Sequence, residues 1–396
     1  MPDPPNPMPS TDSLIEEPFI RRTASCGTFV VVSALPGAGG AAAAAAYARV
    51  AEELAASGSR IVHERIFGSL SAETAIRAAR RAALASRNVE ADGPLTYVQG
   101  RPTWGEGLAG VILRAVAGPV RTIWDQDVAC GRTWQTDGAT FTILQGIQGF
   151  SGTTGGDSSR VSQAQRTIER ADRILRAQGG GYRDTVRTWF YLSDILDWYG
   201  PFNEVRNAAY RRFGLLPAAD QPAMRLPAST GIRAEPPGGA ACSLDLLAIS
   251  SVGPQPVVQC VRNPRQQEAW RYGSAFSRCV VVRIGPESLI EISGTAAIDE
   301  EGQSLYPSDV RAQARCTIER LETLLEQAGA TLHDVCAATV FVKRGPDAVA
   351  AREVLTEAGL KRFPAVWVEA DVCRPELLFE IDAEAVIPGR DTRDVT

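Results

Sequence analysis

The sequence predicts an α+β fold in which one unit, a mixed sheet with two helices packed on one face, occurs twice in tandem behind an N-terminal α/β extension. Three observations carry this expectation. Short identities recur 150 residues apart: Thr167-Ile168-Glu169-Arg170 returns as Thr317-Ile318-Glu319-Arg320, and Leu175, Gly179 and Asp184 return as Leu325, Gly329 and Asp334. The elements around both copies follow one order, β-β-α-β-α-β-β, which makes a sheet covered on one side by helices. Composition is that of a globular chain, 44% hydrophobic and 22% charged, and 396 residues suffice for two or three domains.

Residues 1–23 read as a disordered tail, because MPDPPNPMPSTDS is proline-rich and polar and lacks the regions of a signal peptide. The extension spans 24–130, with strands expected at 29–34 and 60–67 and helices at 42–57 and 72–86. Its pattern fits either a cut-down copy of the repeated unit or a separate cap. The first unit, 131–253, opens with a strand at 140–148 and an amphipathic helix at 161–178 whose apolar face carries Ile168, Ile174 and Leu175. A β-branched and aromatic strand at 186–192, a helix at 202–213 and closing strands in 240–250 follow. Residues 254–267, rich in Pro, Gln and Asn, read as a linker. The second unit, 268–390, repeats the order at 289–294, 310–328, 337–342, 346–358, 365–372 and 377–386. Gly179 and Gly329 stand where each long helix needs a left-handed cap.

Composition also narrows the function. With 41 basic against 46 acidic residues the net charge is -5, and no basic stripe offers itself to nucleic acid. The apolar stretch 41–48 is too short and alanine-rich to span a bilayer. Eight cysteines stand singly, without a CxxC pair, which suits reduced thiols and a cytoplasmic location. His63 and His333 lack ligand-spaced neighbours and no glycine-rich phosphate loop occurs, so neither a metal nor a cofactor is expected.

One carboxylate stands out. Glu380 lies among Leu377, Leu378, Phe379 and Ile381, where it is either desolvated, with its proton held towards neutrality, or turned to solvent on the polar face of an alternating strand. Asp245 reads as its counterpart in the first unit. Cys373, seven residues earlier, is a small buried hydrophobe or a thiol near the same place.

The second unit resembles the RidA (YjgF) family of reactive-imine deaminases, of chorismate-mutase-like fold, through four features. These are Ser293-Gly294-Thr295-Ala296, the helix before Gly329, Thr339-Val340-Phe341-Val342, and Phe363-Pro364-Ala365 with Phe379-Glu380-Ile381-Asp382-Ala383. That family carries a carboxylate-binding arginine after its Phe-Pro-Ala; here Val366 stands there, and an apolar side chain makes no such contact. A narrower resemblance, over about residues 95–387, is to the chorismatase family. It rests on Tyr272-Gly273-Ser274-Ala275-Phe276-Ser277-Arg278, on residues 293–296, on the segment from Asp371 to Glu380, and on residues 226–231 and 242–247.

This second resemblance implies two RidA-type domains and an enzyme that takes chorismate to 3-hydroxybenzoate and pyruvate without metal or cofactor. Glu380 would be the general acid, with Cys373 and Gly294 marking the 3-hydroxybenzoate branch. Arg278 and Arg160 would meet the two substrate carboxylates, and Tyr272, Ser293 and Thr295 would offer hydrogen bonds. The loop 152–156 reads as a turn or a lid. Rival outcomes are hydrolysis to a dihydroxycyclohexadiene carboxylate, formation of 4-hydroxybenzoate, imine deamination, and ligand binding without catalysis. RidA domains form trimers, and fused units would satisfy those surfaces within one chain, so a monomer is expected.

Overall fold

In the computed structural model, which describes residues 14–35, 40–149, 158–216, 225–251 and 257–389, the chain forms three sheets, each with two helices on its outer face. The first holds β1 (Phe19–Arg22), β2 (Thr28–Ser33), β3 (Arg60–Gly68) and β4 (Thr96–Gln99), with α1 (Ala41–Ser57) and α2 (Glu73–Ser86). The two-residue β5 (Arg101–Pro102) then leaves for the third sheet, and β6 (Leu108–Val116) returns to the centre of the first.

The second sheet is built from β7 (Arg121–Asp125), β8 (Val128–Thr136), β9 (Ala139–Gln148), β10 (Thr185–Leu192), β11 (Ala228–Arg233) and β12 (Cys242–Ser251), with α3 (Arg160–Ala177) and α4 (Ile195–Arg212). The third has β13 (Val258–Val261), β14 (Cys279–Ile284), β15 (Glu287–Ala296), β16 (Val335–Val342), β17 (Ala365–Glu369) and β18 (Phe379–Pro388), with α5 (Val310–Gln327) and α6 (Asp347–Glu357).

Strand for strand, the three sheets share one topology. The orders β1-β2-β6-β3-β4, β8-β9-β12-β10-β11 and β14-β15-β18-β16-β17 match, antiparallel throughout except for the last pair, which is parallel across a helix. The N-terminal extension is therefore a third complete copy. Only its strand order reveals this, since the 150-residue identities do not reach it.

Three expected bounds change. Part of the supposed tail is structured: Ile15 bridges Ala34 and β1 pairs with β2, covering an edge that β2 would otherwise leave open. The second unit starts at β7, ahead of residue 131. The supposed linker contains β13, paired along β14.

The three units close a ring. The β4 edge packs on β9, β11 packs on β15, and β17 packs on β2. Inner faces of all three sheets share one apolar cluster that draws in Phe29, Phe141, Trp189, Val280, Phe341 and Val366. Outer faces bury their helices in three separate clusters. Strands covered on both faces carry apolar side chains on both, broken on the inner side by buried charged residues such as Arg65, Arg187 and Asp382, and each fully buried Val, Leu, Ile or Phe contributes about 1.5–3 kcal/mol.

Buried ion pairs lie between the units. Arg65 of the first meets Glu384 of the third at 2.8 Å, Arg114 meets Glu384 at 3.3 Å, and Arg187 of the second meets Asp382 of the third at 3.0 Å. Such pairs add little net stability, but losing one partner strands a buried charge, which favours this packing of units over others.

Candidate active site

The ring creates three related clefts, each where one unit's edge strand meets its neighbour. Between the first and second units the cleft is filled. Asp245 accepts hydrogen bonds from Thr96 Oγ1 at 2.6 Å and Gly146 N at 2.7 Å, and lies 3.0 Å from His63 Nε2, all in the interior. Between the third and first units, Val366 fills the space, and a methyl built on Gly110 would come 2.7 Å from its Cγ2. Between the second and third units, small residues face each other: Ser229 and Gly231 on β11, Gly294 and Ala296 on β15. A cavity of about 230 Å³ remains.

Glu380 opens onto this cavity, 4% exposed. Side chains alternate along β18, so Phe379, Ile381, Ala383 and Ala385 turn to the helices while Glu380, Asp382 and Glu384 turn inwards. Of the two placements open to Glu380, solvent or burial, the ring selects burial, because it covers the polar face of the strand. Burial raises the Glu380 carboxyl to about 8, with Asp382 pushing the same way and Arg278 and Arg187 pulling back. A carboxyl in that state holds its proton at neutral pH and suits general-acid work.

Around it stand groups from both units. Cys373 borders the cavity, and burial, reinforced by Glu380, lifts its thiol to about 12, so it is a proton-bearing thiol and not a thiolate. Arg278 is 1% exposed, held by Nε on Gln267 O at 3.0 Å and Nη2 on Tyr272 Oη at 2.7 Å. Two guanidinium groups lie close to the Tyr272 ring, Arg278 at 5.6 Å and Arg374 at 5.2 Å from its centroid.

From the second unit, α4 breaks at Trp198 (φ -148°, ψ 15°) and restarts, which lets Pro201 sit in a first turn, where no N–H is needed. Tyr199, Gly200 and Asn203 of that turn border the cavity, bringing the positive end of the helix towards an anionic ligand.

Five of the expected site residues thus meet at one cavity: Glu380, Cys373, Arg278, Tyr272 and Gly294. Three do not. Ser293 and Thr295 alternate with Gly294 and point away from the cavity. Ser293 Oγ donates to Ser277 O at 2.6 Å and accepts from Ser229 N at 2.7 Å, tying β15 to β11, and Thr295 Oγ1 donates to Ser293 O. Arg160, at the start of α3, is taken by Asp194 at 2.6 Å and Asp197 at 3.2 Å. The loop 152–156 lies outside the described residues.

Asp245 is likewise not the counterpart of Glu380. It lies opposite Trp189 as Asp382 lies opposite Thr339, whereas Glu380, opposite Phe341, corresponds to Ser243, opposite Tyr191. Sequence reasoning missed Arg374, although it adjoins Cys373, and the α4 residues. Their signal was a proline just after Tyr199-Gly200 in a helical pattern.

Among the described residues, no cluster of three His, Cys, Asp or Glu side chains is placed to hold a metal ion, and no helix is long and apolar enough to cross a membrane.

Residues 272–387 match the family model for Endoribonuclease L-PSP. A RutC family protein of Pyrococcus abyssi (strain GE5 / Orsay) is 32% identical over 105 residues, 26% of this chain and 81% of that protein. A 3-hydroxybenzoate synthase of Streptomyces hygroscopicus is 28% identical over 229 residues, 51% of this chain. That match spans 63% of the synthase, just under two thirds of its length. A chorismatase crystal structure aligns with a TM-score of 0.59 at 21% identity, covering 82% of this chain and 93% of that one, a likeness of fold.

Proposed function

We propose, for a chain that belongs to the RutC family through its third unit and is chorismatase-like over most of its length, that the open cleft converts chorismate to 3-hydroxybenzoate and pyruvate. The observation that carries this reading is Glu380, a buried, proton-holding carboxyl facing a cavity edged by Arg278 and Arg374.

Chorismate has two carboxylates, a ring hydroxyl and an enolpyruvyl ether. The arginines suit the carboxylates, since a guanidinium fork matches their geometry. Glu380 then gives its proton to the methylene carbon of the ether, forming an oxocarbenium ion. The neighbouring ring hydroxyl displaces the ether oxygen from its ring carbon and returns its proton to Glu380. Pyruvate leaves and an arene oxide remains. Opening of the epoxide costs the ring one proton and gives one to oxygen, yielding 3-hydroxybenzoate; the Cys373 thiol is the neutral donor beside the ring. One chorismate gives one of each product, and no water, oxidant or reductant is consumed.

Imine deamination is disfavoured by a specific absence. The residue two after the proline is Thr96, Ser229 and Val366 in the three units, so none supplies the arginine that this reaction uses. The closed ring also supports a monomer, because each packing edge is covered within the chain.

Incubation of the protein with chorismate, followed by chromatography, tests the reading. Equal amounts of 3-hydroxybenzoate and pyruvate are expected. A dihydrodiol acid would mean that water attacks instead, and no turnover would remove chorismate as the substrate.

A further inference from the structure

The inner face of β18 presents three carboxylates at two-residue spacing, and the other units answer only two of them. Glu384 meets Arg65 and Arg114 of the first unit. Asp382 Oδ2 accepts from Arg187 Nη2 at 3.0 Å and from Thr230 Oγ1 at 2.8 Å, both of the second unit, while its Oδ1 accepts from Thr339 N at 3.1 Å. Arg187 Nη2 also donates to Thr230 Oγ1 at 2.7 Å, which closes a three-membered network. The Glu380 carboxyl forms no hydrogen bond or ion pair among the described residues.

Arg187 has no freedom to change this. It is fully buried, its guanidinium stacks 4.5 Å from the Trp189 ring centroid, and its Nε lies 3.6 Å from Glu291 Oε2. We propose that Asp382 and Arg187 are positioning residues for the reaction: Asp382 holds the second unit's nearest cation away from Glu380 and fixes a negative charge one pleat below it. This rests on the reading of Glu380 as the acid. An arginine paired with Glu380 would favour its carboxylate and strip the proton that the chemistry needs. Since Arg187 and Thr230 come from the second unit, the third unit's acid is set across the interface and is complete only in the closed ring.

The charged and titratable groups facing Glu380 are Asp382 on its own strand, Arg187 from β10, Arg278 and Tyr272 from the segment before β14, Cys373 and Arg374 from the loop before β18, and Tyr199 from α4. Asp382→Asn removes the negative charge and leaves the Arg187 cation, and both changes favour the Glu380 carboxylate. Activity needs the protonated acid, so it falls as pH rises through the basic limb, here near pH 8.

In Asp382→Asn that limb, read as kcat for pyruvate release from chorismate, moves down by about one unit. At pH 9, above both limbs, kcat drops about tenfold, while KM stays within about twofold because Asp382 does not line the cavity. Glu384→Gln removes an equally buried, paired carboxylate four residues along and leaves the limb in place. An unmoved limb in Asp382→Asn, or an equal shift in both variants, overturns the proposal.

Should Asp382→Asn not fold, the parent protein with 13C-labelled Glu and Asp carboxyls carries the test. A glutamate resonance that titrates near pH 8 and is missing from Glu380→Gln is expected, with no aspartate titrating beside it. An aspartate titrating in step, or no such glutamate, refutes the idea. This titration needs no substrate, so it stands even if the parent protein does not turn over chorismate, a result that would instead end the functional reading.

Discussion

Glu380 on β18 and Gly294 on β15 approach so closely that no side chain fits between them; a methyl built on Gly294 would overlap Glu380 Oε1. On its other side that methyl would meet Thr230 Cγ2 at 3.4 Å. The position of the carboxyl is therefore set by the missing Cβ. Glycine is needed here for the close approach and not for a left-handed backbone, which distinguishes it from the capping glycines.

Gly294→Ala should push the carboxyl into the cavity. We expect kcat for pyruvate release to fall by one to two orders of magnitude, with the product ratio shifting away from 3-hydroxybenzoate as the ring is displaced. Chromatography of the products checks both, and unchanged rate and ratio would remove Gly294 from the site.

Glu380→Gln should reduce pyruvate release at least a thousandfold, since the amide cannot protonate carbon. Stability should move the other way. Burial raises the folded carboxyl to about 8 from its ordinary 4.5, so the fold favours the neutral form. Its contribution is present below pH 4.5 and is lost as pH rises through 8. Calorimetry should find the Glu380→Gln variant more stable than the parent at pH 9, by on the order of a few kcal/mol, and similar at pH 4.

Cys373 should resist iodoacetamide at pH 8, because a thiol raised to about 12 offers almost no thiolate. Cys373→Ala should keep pyruvate release within about tenfold of the parent while lowering the share of 3-hydroxybenzoate, if the thiol acts at ring opening and not at the ether. Fast alkylation, traced by peptide mapping, would contradict a thiol that holds its proton.

Two arginines should separate cleanly. Arg374→Ala removes a cation beside the cavity and should raise KM for chorismate about tenfold or more, the size of a lost charge-assisted contact. Arg160→Ala, whose guanidinium is already held by Asp194 and Asp197, should leave KM within about twofold.

Asp245→Asn tests the filled cleft. The buried aspartate accepts from Thr96 and Gly146 and pairs with His63, and an amide cannot replace every acceptor bond. A loss of about 1–3 kcal/mol in denaturant unfolding is expected, with kcat for pyruvate release little changed.

Local patterns in the sequence determined much of each unit. The 3.6-residue period located the long helices, and Gly179 and Gly329 end them with φ of 85° and 79°. Residues that share one contiguous motif, such as Cys373 and Glu380 or Tyr272 and Arg278, reached the same cavity together. Tertiary structure alone decided the rest. Strand order made residues 19–116 a third copy, and the two aspartates before and within the first turn of α4 took Arg160 out of the site. Val366 and the bonds around Asp245 filled two clefts at the positions related to Glu380's, which stays open. The physical reason lies in the alternation itself. A period of two says that Glu380, Asp382 and Glu384 share a face, but what covers that face depends on contacts between units far apart in the chain, and those form only when the ring closes.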